Sequence, residues 1–489
     1  MKTIFITFIL LLFSFCLKAQ NDENITIGKK EVISSTVLNE NRTIWIYIPN
    51  ITSLNPDQEK RYPVLYLLDG SAHFYSTVGI IQQHSQANGN GTLPEMIIVA
   101  IENTNTVRDF VPSNDLDNPN PFIKFLSSEL IPYIDKNYKT APYKMLVGHS
   151  LGGLTVIDIL TNFTELFDAH IAIDPSMWYD NEKYLTNTIT ELPRQNMNGK
   201  RLFIGIANTL PKGMEFSQLK NDKSFETQHI RSIFKLDEFL KANTNGLIYG
   251  SKYYENETHN TVPLISEYDG LRFIFDFYLF DATEKDFTDS TDTIASKLKT
   301  HYANVTEKMG YMNAAPETFI NYFAYEALGK QHYNKAKALF ELNIEWYPES
   351  SNVYDSYADY YLAQKDTANA VTNYQKALQI KDNTETRSKL NALTNKGTIK
   401  SATVDLQKYA GVYVLETYNI SIVLEIRDNK LFAKVPGQEE DEFEFQSENI
   451  FTVKGKQGYK VTFEMDRDKP KGFTSVQPNG TFKATFKNR

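Results

Sequence analysis

Apolar and polar positions alternate through residues 25–50. Ile44, Ile46 and Ile48 share one face of an extended segment and Trp45 and Tyr47 the other, which predicts a strand at the start of the fold. The pattern then changes. Val64–Leu68, Met96–Ala100, Met145–Val147, His170–Ile173 and Leu202–Ile206 are short, continuous apolar runs with helix-length stretches between them. Continuous runs suit strands buried on both faces, and intervening helices suit parallel crossovers. This predicts an α/β fold, a three-layer domain over residues 25–285.

Strand signals vanish over residues 316–395, where Ala, Tyr, Glu and Lys dominate. Ala324, Leu328, Ala336, Phe340 and Pro348 recur 34 residues later as Ala358, Leu362, Ala370, Tyr374 and Asp382. Small residues at helix crossings, with bulky ones between, are what stacked helical hairpins need. The period resembles tetratricopeptide repeats. An ordinary pair of helical hairpins is the alternative. Two units are few for a repeat array, so the segment should lean on a neighbouring domain. Residues 402–489 alternate again: Ile420, Ile422, Leu424 and Ile426, then Val461, Phe463 and Met465, with turn signals at Asp428-Asn429 and Asn479-Gly480. They predict a small antiparallel β domain.

The N-terminus adds a location. Lys2, the apolar run Ile4–Leu17 and the small residue before Gln20 read as a secretory signal over residues 1–20. The run is short for a membrane span and no later stretch matches it. The expectation is a secreted or periplasmic protein of a bacterial envelope, without a transmembrane span. Lipidation of Cys16 is the alternative, against which stand the bulky residues Phe13 and Phe15. Cys16 is the only cysteine among the 489 residues, so the mature chain would have neither disulfides nor thiol chemistry. Loss of residues 1–20 removes two lysines and no acid, taking the formal charge from −9 to −11. An acidic surface argues against nucleic acid as a partner.

The chemistry centres on Gly148-His149-Ser150-Leu151-Gly152, which follows an apolar strand and precedes a helix-compatible stretch, Leu154–Leu160. A serine on a sharp strand-to-helix turn needs glycines two residues either side to avoid collision. The helix start then aims backbone N–H groups at the site, so the N–H of Leu151 can hold an oxyanion. A glycine-rich turn without catalysis is the alternative. The serine needs a base. Of the eight histidines, His259 fits best: it lies in the polar loop Glu255–Asn260 after the last strand-like segment. His149 adjoins the serine but should point away, and His170 lies in a buried strand. The acid should follow Leu202–Ile206 and precede His259. Asp222 is favoured over Glu215 and Glu226, because it shortly precedes the next helix; a Ser–His pair without an acid stays open. The second oxyanion donor is expected from Asp69-Gly70-Ser71, with the N–H of Ser71 as donor.

Leu67-Leu68-Asp69-Gly70, Arg108-Asp109-Phe110, Gly148–Gly153, Asp174-Pro175-Ser176-Met177-Trp178 and Glu257-Thr258-His259 together resemble the esterase group of α/β hydrolases that includes enterochelin esterases and esterase D. The resemblance covers residues 25–285. It implies a metal-independent carboxylic-ester hydrolase that acylates Ser150, with His259 as base and Asp222 as acid. Arg108 is a candidate for an anionic substrate group, with a structural salt bridge to Asp109 or a neighbour as the alternative. Trp178 is a candidate for the pocket wall or for plain packing. No metal motif, phosphate loop or cofactor requirement is visible. The substrate class expected is a small-molecule or carbohydrate ester, such as a siderophore ester or an acylated sugar. Two other readings compete: an idle hydrolase fold that binds a protein partner through its helical repeats, and a serine peptidase.

Overall fold

The structure, a computed structural model, describes residues 25–487 apart from 50–59, 86–90, 114–118, 395–404, 416–419, 448, 468 and 479. The expected signal over residues 1–20, with Cys16, lies outside the described residues, as does Asn479 of the expected turn.

Eight strands form one sheet: β1 Lys29–Ser35, β2 Glu40–Tyr47, β3 Tyr62–Leu67, β4 Ile97–Ile101, β5 Thr140–His149, β6 Ala169–Ile173, β7 Arg201–Ala207 and β8 Ile248–Tyr254. Their order is β1-β2-β4-β3-β5-β6-β7-β8. β1 and β2 run antiparallel to their neighbours, and β3 to β8 pair in parallel. Every residue of β3, β4, β6 and β7 is buried, because helices cover both faces. On one face the helices Gly70–Ser85 and Val262–Ile274 contribute Phe74, Val78, Leu271 and Ile274 to the core. On the other, Leu151–Asn162 and Gln228–Ala242 contribute Leu154, Ile157, Ile233 and Leu236. This is the three-layer α/β-hydrolase fold. In β2, Ile44 and Ile46 are buried, but Ile48 falls past the strand end and is exposed. The strand order sets β5 between β3 and β6, so their C-terminal ends meet at one rim, the end where open α/β sheets place their ligands.

The helix Thr293–Met309 joins two cores: Val305 and Met309 pack with the sheet, and Ile294, Leu298 and Tyr302 pack with the helices that follow. Two helical pairs come next, Glu317–Gly329 with Tyr333–Trp346 and Ser351–Ala363 with Thr367–Ile380. Ala324, Ala336, Ala358 and Ala370 are fully buried at their crossings, where a missing side chain lets the helices approach. Leu328 is buried while Leu362, its counterpart in the second pair, is exposed. The chain ends in a closed eight-stranded antiparallel barrel between Gly411 and Lys487. Asp428 and Asn429 both have positive φ, the backbone of a tight two-residue hairpin turn. Among the described residues no helix is long and apolar enough to cross a membrane.

Candidate active site

β5 runs into Ser150 and the helix Leu151–Asn162 begins at once. Ser150 sits at φ 58° and ψ −117°, a conformation that costs a side-chain-bearing residue on the order of 1–3 kcal/mol. Backbone bonds offset it: Ser150 N–H donates to Ile173 O (2.9 Å), and Ser150 O accepts from Ser176 N–H (2.9 Å) and Leu154 N–H (3.0 Å). A Cβ on Gly148 would stand 2.5 Å from Gly152 O, so this position admits no side chain. Leu151 is the first residue of its helix, and its N–H therefore has no intrahelical acceptor. Gly70 opens the helix Gly70–Ser85, and a Cβ there would meet Ala100 at 2.5 Å. That close approach brings the Asp69–Ser71 turn over the elbow: a Cβ on Gly152 would lie 3.6 Å from Asp69 Oδ2. Ser71 is exposed in the first turn, where its N–H likewise lacks a helical acceptor.

The loop after β8 delivers His259. Its Nε2 stands 3.1 Å from Ser150 Oγ, and its Nδ1 stands 2.6 Å from Asp174 Oδ2. An ionised carboxylate only accepts, so Nδ1 carries the proton and Nε2 is free to receive the serine's. Asp174 directly follows β6 and is fully buried at φ 42°. Ala207 N–H donates to its Oδ1 (3.0 Å) and His229 Nε2 to its Oδ2 (2.8 Å). Burial alone would raise this carboxyl. The hydrogen bonds from His229, His259 and Ala207 outweigh it and hold the group well below the usual carboxylate range.

Asp222 is therefore not the carboxylate on the histidine. Its Oδ2 accepts from Ser224 N–H (3.1 Å), Ser224 Oγ–H (2.6 Å) and the hydroxyl of Thr227, a local turn that anchors the start of the helix Gln228–Ala242. Glu215 caps the short helix Phe216–Asn221, and Glu226 is exposed to solvent. The acid comes instead from the strand next to the nucleophile's, and the signal for it was an apolar strand ending in Asp174-Pro175-Ser176. Ser176 Oγ also stands 3.2 Å from Ser150 Oγ.

Arg108 is also engaged elsewhere. Its guanidinium donates to both oxygens of Glu40 (2.8 and 2.9 Å) and to Asp109 (2.8 Å), while buried Arg42 pairs with Asp109 from behind. Its charge is spent on these carboxylates rather than offered to a substrate anion. Trp178 is half-buried two residues after Ser176, edge-on to Phe225 at 6.4 Å between ring centroids, and Phe225 is 78% exposed. The pair forms an apolar patch on the segment that begins at Ser176. His149 does not point away: its ring lies 4.4 Å from that of His259, and burial, with His259 and His73 adding to it, holds it down at about 4. His170 is wholly buried in β6, and burial lowers it to about 3. Asp174, His229 and His259 place one ligand atom each within 4.8 Å of one another, a spacing that suits a metal ion and that the two hydrogen bonds to Asp174 already account for.

A strained serine, a histidine bonded to it and a buried carboxylate behind the histidine meet at the rim of this sheet. Residues 35–229 match the family described as Putative esterase. The chain is 28% identical over 186 residues to ferri-bacillibactin esterase BesA of Bacillus subtilis (strain 168), a match that covers 33% of this chain and 64% of that protein, just under two thirds of its length. It resembles the structure of an IroE-like serine hydrolase from Shewanella oneidensis, with a TM-score of 0.52 and 28% identity, over 65% of this chain and 99% of that one. The structure of an uncharacterised protein from Capnocytophaga ochracea shares the fold, with a TM-score of 0.51 and 18% identity, over 76% of this chain and all of that one.

Proposed function

We propose that this protein is a secreted carboxylic-ester hydrolase that works through an acyl-enzyme on Ser150. The observation that carries the reading is the continuous relay from Ser150 Oγ to His259 (3.1 Å) and from His259 to Asp174 (2.6 Å). In this scheme Ser150 Oγ attacks the ester carbonyl while His259 Nε2 takes its proton. The developing oxyanion is held by the N–H groups of Leu151 and Ser71. Collapse expels the alcohol, which receives the proton from His259. Water, deprotonated by the same imidazole, then attacks the acyl group, and the acid leaves with Ser150 restored. Asp174 stays ionised throughout and stabilises the imidazolium.

For substrate we favour a siderophore ester over an acylated carbohydrate, because the curated relative at 28% identity is named as a ferri-bacillibactin esterase. The pairing of half-buried Trp178 with exposed Phe225 suits an apolar or aromatic portion of such a ligand. Secretion rests on the sequence of residues 1–20, and N-terminal sequencing of the exported protein tests it. The helical pairs lie outside the relay, and the reading leaves them free to hold a protein partner.

Hydrolysis of short p-nitrophenyl esters by the mature protein, beside Ser150→Ala, tests the chemistry. Turnover and fluorophosphonate labelling, both lost in the variant, are expected. A folded protein that neither turns over nor labels would sink the reading in favour of an idle scaffold. Cleavage of peptides faster than esters would favour a peptidase.

A further inference from the structure

Asp174 receives two imidazoles where a relay needs one. His229 Nε2 (2.8 Å) and His259 Nδ1 (2.6 Å) both meet the same oxygen, Oδ2. The two rings stand nearly perpendicular, 5.2 Å apart. His229 Nδ1 is buried and has no partner among the described residues. A carboxylate oxygen only accepts, so Nε2 carries the proton aimed at Asp174, and Nδ1 offers no competing bond to turn the ring away. The donor is also held in place. His229 is the second residue of the helix Gln228–Ala242, whose start is fixed by the Asp222–Thr227 hydroxyl bond, by Arg231 Nε–H to Thr227 Oγ1 (2.8 Å) and by Arg231 to Ser224 O (2.5 Å). The loop that does not supply the acid thus holds a second donor against it.

We infer that His229 is a positioning residue: its permanent N–H bond to Asp174 Oδ2 fixes that carboxylate and shares its charge, and so governs how tightly Asp174 holds His259. Among the described residues, His229 and His259 share Asp174 Oδ2 through their hydrogen bonds, His149 packs against His259 with its ring tilted by 40°, and Arg231 donates to Thr227 and Ser224. With the His229 donor removed, Oδ2 keeps one partner. The Asp174–His259 bond then tightens, while the carboxylate gains freedom to rotate off line.

The inference rests on the serine-esterase reading, and the test separates the two. His229→Phe removes the donor and keeps an aromatic ring; His229→Gln keeps an N–H. The expected result for His229→Phe is about a tenfold fall in kcat, the scale of one hydrogen bond to a charged group, with KM unchanged. His229→Gln should recover most of the loss. The low-field proton resonance of His259 Nδ1–H should move further downfield in His229→Phe and return in His229→Gln. Thermal unfolding checks that each variant is folded, and His229→Ala replaces the Phe variant if that one fails. Wild-type kcat in the folded Phe variant would overturn the inference. So would equal losses in both variants with the resonance unmoved, the mark of a merely structural residue. If the wild-type protein neither hydrolyses esters nor labels, the esterase reading falls, and the resonance alone still decides whether His229 and His259 share the carboxylate.

Discussion

Asp174→Asn discriminates best between the observed site and the one expected from sequence. All three groups around the carboxylate are donors: His229 and His259 on Oδ2, and Ala207 N–H on Oδ1. An amide offers one acceptor oxygen. If that oxygen faces the imidazoles, the amide N–H2 confronts Ala207 N–H at about the 3.0 Å of the present bond, a buried donor–donor conflict of about 1–3 kcal/mol. If it faces Ala207, the amide donates toward His259, whose proton must move from Nδ1 to Nε2. The imidazole then has no lone pair for Ser150, and in serine-protease triads the wrong tautomer costs about 10⁴-fold in kcat. That equals about 5.5 kcal/mol of barrier. Initial rates on p-nitrophenyl butyrate, with circular dichroism to confirm folding, make the measurement. Asp222→Asn, run in parallel, should stay within about threefold of wild type, because its carboxylate touches only Ser224 and Thr227. An Asp174→Asn protein with more than about a tenth of wild-type kcat would refute the reasoning, as would an Asp222→Asn protein that falls as far.

Other consequences follow from the same structure. Gly148→Ala puts a Cβ 2.5 Å from Gly152 O and should lose fluorophosphonate labelling along with about 1–3 kcal/mol of stability by denaturant titration. Burial pushes the Glu267 carboxyl up to about 8, and among the described residues Thr77 alone donates to it. The unfolded chain releases this proton near pH 4.3 and the native chain keeps it, so stability should decline between about pH 4.3 and pH 8 by on the order of a few kcal/mol, and Glu267→Gln should flatten that decline in Tm. His73 approaches Glu267 at 3.9 Å, but burial lowers the one as it raises the other, so near neutrality the contact joins two uncharged groups and is no salt bridge. Arg108→Ala should leave KM for neutral and anionic esters alike and cost about 1 kcal/mol, because its partners are Glu40 and Asp109; a selective rise in KM for anionic esters would restore its role in substrate binding.

What could be read along the chain was local. Apolar runs marked β3 to β7 because strands covered on both faces are mostly apolar, with few polar residues among them. The elbow was legible because its strand, glycines and helix lie within about a dozen consecutive residues, and each is demanded by the same tight turn. His259 stood out as a histidine in a polar loop after the last strand. The helical pairs showed through the spacing of small residues, since crossings repeat with the helices that make them.

The acid could not be chosen in this way. Asp174 and Asp222 both follow a buried strand, Asp174 at once and Asp222 after a longer loop, and neither position in sequence says which faces the histidine. The strand order decides. It sets β6 beside β5, so the end of β6 lies under His259, while the longer loop after β7 folds its aspartate back onto Ser224 and Thr227. For Arg108 the sequence left two readings open, and the structure settles on the salt bridges: Asp109 adjoins it in the chain, while Glu40 is distant in sequence and meets it only across the folded loops. His149 was expected to point away and instead packs against the ring of His259, because the backbone angles of the elbow, not its residue order, set the direction of that ring. Sequence by itself determined which elements form and where a nucleophile must sit, because those follow from local sterics and burial. Only the tertiary structure decided which charges meet, because a carboxylate is claimed by whichever donors the packing brings within 3 Å of it.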